Sequence, residues 1–66
     1  MKIKEIEALT GMSRDNIRFY ERCGLLEPYR NENGYREYSN ENVLTLKKIK
    51  LLRTLHIDIH KFSVWL

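Results

Sequence analysis

The sequence predicts a mainly α-helical domain with one small β-hairpin. Apolar residues recur at helical spacing in two parts of the chain, Ser13 and Ser39 are residues that favour helix capping, and a turn sequence stands between strand-forming residues. A chain of 66 residues is enough for one domain with a small core. We therefore expect a single domain over residues 1–66.

Two short helices are predicted at the start of the chain. Apolar residues step by three along one side of the first helix: Ile3, Ile6 and Leu9. Gly11 is expected to end this helix in the left-handed conformation, and Ser13 supplies an N-cap oxygen for a second helix from Arg14 to about Cys23. Gly24 is expected to end the second helix in the same way. This spacing is typical of a helix-turn-helix.

The middle of the chain predicts a hairpin from Leu26 to Tyr38. Pro28 prevents the second helix from continuing, and Asn33-Gly34 is a turn signal between residues that favour strands. The hairpin follows the helix pair directly, in the position of a wing.

A long third helix is predicted from Asn40 to about Leu55, with Ser39 as its N-cap. It carries two apolar stripes, which we expect to be buried between two layers: Leu44, Leu51 and Leu55 on one side, and Val43, Leu46 and Ile49 on the other. Asp58 is expected to cap a fourth helix that begins at Ile59. The order of elements is that of a winged helix-turn-helix.

Composition excludes several classes of protein. The one cysteine, Cys23, cannot form an internal disulfide, and we expect it to be a half-buried residue at a helix end and not a sensor thiol. No apolar run approaches the roughly 18 residues of a membrane span, and the N-terminus lacks a signal peptide, so we expect a cytoplasmic protein. The net charge of +3 is modest, so the placement of the basic residues matters more than their number.

Three arginines form the most informative basic group: Arg14, Arg18 and Arg22. They are four residues apart, so they form one column on the second helix, where like charges repel each other unless an anion is present. DNA phosphates or guanine edges would supply that anion. The alternative is a solvated face on which Asp15 and Glu21 relieve Arg18. The location on the second helix of a helix-turn-helix favours DNA.

Other polar residues extend this candidate DNA-binding surface. Ser13, Asn16 and Tyr20 belong to the same helix, and the free N–H groups at its start suit a phosphate, although Ser13 also fits a capping role. On the hairpin, Arg30, Tyr35 and Arg36 fit either a contact with the DNA backbone or minor groove, or a strand edge protected by charge. On the third helix, Arg53 is the best candidate for a phosphate contact, and most of the lysines are expected to be solubilising.

The sequence lacks the residues that catalysis or metal binding would require. His56 and His60 are four apart, but a predicted helix break separates them and no further ligand completes a tetrahedral metal site. No Ser-His-Asp arrangement or glycine-rich phosphate loop is present. We expect no enzyme activity, no bound metal and no cofactor.

Several segments together resemble the N-terminal DNA-binding domain of the MerR family, the mercury-resistance-type regulators. These segments are Thr10 to Ser13, Ile17 to Arg22, Gly24 to Leu26, Asn33 to Ser39 (NGYREYS) and Ile49 to Leu55. They occur in the family's order and spacing over nearly the whole chain. The fold that the resemblance implies is a MerR-like winged helix-turn-helix.

The resemblance implies a bacterial transcription regulator that acts on the nucleoid. Its homodimer would bind double-stranded DNA at a pseudo-palindromic promoter and distort the promoter spacer for RNA polymerase. By matching position, Arg18 and Tyr20 would contact the phosphate backbone, Arg14 and Asp15 would lie nearest the bases, Tyr35 and Arg36 would be wing contacts, and Arg53 a backbone contact. The family's dimerisation helix and effector-binding region lie beyond residue 66, so this fragment is expected to bind DNA weakly or as a monomer.

Three positions depart from the family pattern. Phe19 replaces a frequent tyrosine, Asn16 replaces a usual threonine, and His56 replaces a helix-ending glycine. Two other functions stay open: an architectural DNA-binding protein of the excisionase type, and a protein-interaction module that keeps the fold without DNA binding.

Overall fold

The computed structural model describes all 66 residues and has the predicted order of elements. These are α1 (Ile3–Thr10), α2 (Arg14–Arg22), β1 (Tyr29–Arg30), β2 (Arg36–Glu37), α3 (Asn40–Thr54), a 3₁₀ turn (Ile59–Lys61) and α4 (Phe62–Trp65). The structure confirms a winged helix-turn-helix in which the β1–β2 hairpin is the wing. No helix combines the length and the apolar character that crossing a membrane requires.

The predicted N-caps set the beginnings of the helices. Ser13 Oγ accepts a hydrogen bond from the backbone N–H of Asn16, and Ser39 Oγ accepts one from that of Asn42. Asp58 caps the 3₁₀ turn by accepting from the N–H of His60 at 2.9 Å. Each bond satisfies an N–H group that a helix start leaves without a partner.

The ends of α2 and α3 share one left-handed geometry. Gly24 has φ 78° and His56 has φ 59°. In both cases this residue donates its N–H to a carbonyl three residues back, and the next residue donates five residues back, which is the Schellman motif. His56 therefore occupies a position that glycine adopts at lower cost.

The wing is a short antiparallel hairpin in which Tyr29 pairs with Glu37 and Arg30 pairs with Arg36. Gly34 has φ 80°, and its N–H donates to the carbonyl of Asn31 at 2.9 Å. Asn31 Oδ1 also accepts from the N–H groups of Asn33 and Tyr35. The turn therefore lies where the sequence indicates it, and the side chain of Asn31 orders its tip.

The core joins α1, α2 and α3 and is closed by Phe62 of α4. It contains eleven apolar residues: Ile6, Met12, Ile17, Tyr20, Leu26, Tyr38, Val43, Leu46, Ile49, Leu52 and Phe62. The prediction of a second buried stripe on α3 is wrong, since its three leucines are about 60% exposed: Leu44, Leu51 and Leu55. The wing packs against α2 and the start of the chain, so no second layer covers this side of α3. Leu9, at 53% exposure, also lies outside the core.

The left-handed conformation of His56 leads to a stability prediction. We expect His56→Gly to raise the free energy of unfolding by about 1 kcal/mol, because glycine removes the steric cost of the positive φ. Urea unfolding followed by circular dichroism measures this change. Gly24→Ala is the matched control and should destabilise, since a Cβ at Gly24 meets no atom within 4 Å and only the backbone conformation opposes it. An unchanged or lower stability of His56→Gly would contradict the argument.

Candidate nucleic-acid interface

The solvent-facing side of α2 carries most of the predicted contact residues. Arg14, Asp15, Asn16 and Arg22 are exposed, together with the capping residue Ser13. Arg14 Nε lies 3.4 Å from Glu7 Oε1 of α1, and both side chains remain partly exposed. A surface ion pair of this kind contributes little stability, so it leaves Arg14 available to another anion.

Arg18, the middle arginine of the column, forms no ion pair and no hydrogen bond within the chain. Its Nε is buried without a partner. Asp15 and Glu21, the acids that could have relieved it, form no ion pair with it. An unsatisfied buried donor costs free energy. Because no acid pairs with it either, Arg18 is a cation that the fold leaves without a counter-charge.

Arg18 lines a groove between α2 and the wing, which we call the wing groove. Its volume is about 480 Å³, and it is lined by Lys2, Ile3, Arg18, Arg30, Gly34, Tyr35, Arg36 and Tyr38. Four of these eight residues are basic and none is acidic. The groove therefore has the positive lining that a phosphate group requires.

Glu21 connects the wing to α2 and does not pair with Arg18. Its Oε1 accepts from Arg36 Nε at 2.9 Å, and its Oε2 accepts from the hydroxyl of Tyr38 at 3.0 Å. The side chain of Glu21 is 13% exposed and that of Arg36 is 35% exposed. Hydrogen bonds to charged groups stabilise by roughly 1.5–3 kcal/mol, so this contact is a substantial anchor for a two-residue strand.

The anchor changes the ionisation of both of its donors. The hydrogen bond to Glu21, reinforced by its charge, raises the pKa of Arg36. Burial, followed by the hydrogen bond to Glu21, raises the pKa of Tyr38 to about 12. Both groups are protonated at neutral pH, and the raised pKa values extend to higher pH the range over which both donate to Glu21.

The rest of the wing is held at its base and open at its tip. Met1 and Tyr38 exchange backbone hydrogen bonds of 2.7 and 2.8 Å, and Glu37 binds Lys2 and the N-terminal ammonium. These hydrogen bonds, that from Lys2 first, lower the pKa of Glu37. At the tip, Tyr35 is 67% exposed, and Arg30 donates to the carbonyl of Gly34 while its side chain stays at the surface.

A second basic groove lies beside the turn between α1 and α2, and we call it the turn groove. It is lined by Gly11, Met12, Asn16, Lys50, Arg53 and Thr54. Asn16 and Arg18 are two positions apart on α2, so they point in nearly opposite directions. The two grooves therefore lie on either side of the exposed face of α2, and Arg53 is on the same part of the surface as Asn16.

Two predictions about individual side chains are corrected by their burial. Tyr20 is 5% exposed, and its ring stacks on Phe62 with centroids 6.4 Å apart, so its ring belongs to the core and not to the exposed face of α2. The neighbouring Phe19, at 43% exposure, faces solvent instead. Cys23, at the C-terminal end of α2, is exposed and not half-buried.

Two lysines of this surface, and the contacts that Glu21 makes with the wing, were missed or misread from the sequence. Lys50 donates to the carbonyl of Thr10 at 3.2 Å and lines the turn groove, so it is not only solubilising. Its spacing of three from Arg53 was an available signal. No local pattern in the sequence indicated that Lys2 would line the wing groove, because its partner Glu37 is 35 positions away. The same holds for the contact between Glu21 and Arg36, which are 15 positions apart.

Comparisons with known proteins agree on one family. Residues 1–60 match the family described as MerR HTH family regulatory protein. The chain is 39% identical over 63 residues to the mercuric resistance operon regulatory protein of Bacillus cereus, covering 94% of this chain and 48% of that protein. It is 34% identical over 62 residues to the HTH-type transcriptional regulator CueR of Escherichia coli O6:H1, covering 92% and 46%.

A solved structure gives the same result. A crystal structure from Listeria monocytogenes, described as a MerR family transcriptional regulator, superposes with a TM-score of 0.88 at 33% identity. The match covers 94% of this chain and 48% of that one. The chain spans about half the length of the relatives it matches.

The raised pKa of Tyr38 predicts a loss of stability at alkaline pH. A tyrosine titrates near pH 10 in an unfolded chain, so its folded-state stabilisation is complete below about pH 10 and is lost as the pH rises through about 12. Urea unfolding at about pH 9 and pH 11 should therefore show a fall in the wild type that is smaller in Tyr38→Phe. Tyr29→Phe is the matched control, because Tyr29 is 66% exposed. An equal fall in the wild type and in Tyr38→Phe would contradict the assignment.

Proposed function

This chain belongs to the MerR helix-turn-helix family of regulatory proteins, and we propose that it binds promoter DNA through α2 and the wing. The relatives it matches are transcription regulators, which supports a role in DNA recognition and not in catalysis. Such a protein works where the bacterial chromosome is, in the cytoplasm.

One observation carries this proposal: Arg18 has no anionic partner within the chain. The fold places it in a groove with other basic residues, although Asp15 and Glu21 are close in sequence. A helix surface that served only solubility would gain from pairing such a cation. A DNA phosphate would supply the missing negative charge.

The exposed face of α2 defines how DNA would be bound. We place α2 in the major groove, with the residues of its first turn nearest the bases: Arg14, Asp15 and Asn16. Ser13 and the free N–H groups at the helix start would hold one phosphate, and Arg18 and Arg22 would contact others.

The two grooves would hold the backbone on either side of α2. Arg30 and Tyr35 at the wing tip would contact the flanking phosphates on one side. Arg53 would contact the backbone on the other side, next to Asn16. These contacts position the domain, whereas sequence preference comes from α2 and from the shape of the DNA.

The full-length protein would act as a dimer on a pseudo-palindromic promoter. Two copies of α2 would enter successive major grooves, and distortion of the promoter spacer would change its use by RNA polymerase. The family membership of residues 1–60 supports this mechanism.

Removing Arg18 tests the phosphate contacts. Arg18→Ala should weaken binding to mixed-sequence duplex DNA and reduce the slope of log K against log salt by about 0.9 between about 50 and 200 mM salt. Lys48→Ala is the matched control, because Lys48 is exposed on α3 and lines neither groove. Fluorescence anisotropy titrations measure both slopes. If both variants had the same slope as the wild type, Arg18 would not contact phosphate.

Removing Arg14 tests base readout. Arg14→Ala should relax the base preference found by selection from a randomised duplex library and change the salt slope less than Arg18→Ala, because base contacts carry sequence information and phosphate contacts do not. A good bidentate contact contributes about 1–3 kcal/mol of discrimination. An unchanged selected sequence would place Arg14 outside the base-reading set.

A further inference from the structure

Arg36 differs from the other arginines of the proposed DNA surface because a largely buried acid holds it at short range, whereas the Arg14–Glu7 pair is longer and more exposed. Arg36 Nε donates to Glu21 Oε1 at 2.9 Å, and this is the shortest ion pair of the surface apart from that of Lys2. Arg18 has no acidic partner, and Arg30 donates only to a backbone carbonyl. The wing groove therefore contains two free guanidinium groups and one that is neutralised.

We propose that Arg36 is a positioning residue that fixes the wing on α2 through Glu21 and does not itself bind a DNA phosphate. This inference rests on the proposed function, since positioning matters only where the wing and α2 bind one ligand together. By the same inference, Glu21 is the residue of α2 that holds the wing in place. The resemblance to the family implied a direct contact by Arg36.

Burial of Glu21 argues against transfer of Arg36 to a phosphate. Only 13% of the Glu21 side chain is exposed, and without Arg36 its carboxylate would keep a single side-chain donor, the hydroxyl of Tyr38. Leaving a largely buried charge without its partner is strongly unfavourable. Arg18 and Arg30 can turn towards a phosphate without breaking an ion pair.

Strand register supports the same assignment. Arg30 and Arg36 are directly opposite each other in the hairpin, and like charges in that arrangement destabilise a strand pair. Glu21 offsets one of the two charges. The wing can therefore present Arg30 to DNA while Arg36 remains bound to Glu21.

Substitution of Glu21 shows whether Arg36 positions the wing or binds a phosphate, because the two roles predict opposite changes in DNA affinity. Glu21→Gln removes a negative charge beside the groove, and if Arg36 were a phosphate ligand held back by Glu21, its release would tighten binding. If Arg36 acts through Glu21, the wing loses its anchor and binding weakens. We expect affinity for a labelled mixed-sequence duplex at about 100 mM salt to fall about tenfold in Glu21→Gln.

Two controls separate this effect from charge and from folding. Glu27→Gln makes the same charge change at an exposed acid with no partner and should bind as tightly as the wild type or slightly more tightly. Tyr38→Phe keeps the ring in the core and removes the other donor to Glu21, so it should weaken binding in the same direction and by less. Thermal unfolding confirms that each variant is folded at the assay temperature.

The double variant completes the test. If Arg36 acts only through Glu21, Arg36→Ala should add no loss in the Glu21→Gln background, and the two effects should be non-additive. Heteronuclear NOE values should also fall for residues 31–35 in both single variants but not for α2. Tighter binding by Glu21→Gln, or additive losses in the double variant, would overturn the proposal.

The wild type and Arg18→Ala separate this inference from the proposed function. Absence of wild-type binding to the duplex at about 50 mM salt would contradict DNA binding itself. Wild-type binding that weakens in Arg18→Ala, together with tighter binding by Glu21→Gln, would leave DNA binding intact and reject only the role of Arg36.

Discussion

The carboxylate of Glu21 fixes the position of the wing, and the arrangement of the whole basic surface depends on it. Strands of two residues are too short to hold a hairpin in place by themselves. Side-chain contacts at the base of the wing therefore set its position: Glu21 joins it to α2, and Glu37 joins it to the start of the chain. With these contacts the wing and α2 line one groove, in which Arg18 and Arg30 meet.

The same contact decides which basic residues are free. Glu21 could have paired with Arg18 at a spacing of three on α2, but its two oxygens are occupied by Arg36 and Tyr38. Because Arg36 and Tyr38 come from the wing, folding of the hairpin against α2 withdraws the acid from Arg18. The unpaired charge of Arg18 is thus a product of tertiary structure, and the column of arginines alone would not reveal it.

Features with local causes could be predicted from the sequence, and features with long-range causes could not. Ser13, Ser39 and Gly24 set helix limits through neighbours within five residues, so the limits of α2 and α3 were predicted to within one residue. Burial of Tyr20 depends instead on Phe62, and exposure of the leucine stripe on α3 depends on where the wing packs. Periodicity shows that a helix has an apolar side, but it does not show whether another layer covers that side.

A wing anchored to α2 also constrains how the domain reads DNA in the proposed mode. In that mode the anchor would fix the distance between the side chains proposed to enter the major groove and those proposed to reach the flanking phosphates. If the protein kept this distance constant, the DNA would have to bend or change its groove width to fit. The free energy of that deformation depends on the DNA sequence. In the proposed mode, the ion pair between Arg36 and Glu21 would therefore convert DNA deformability into sequence preference at positions that no side chain touches.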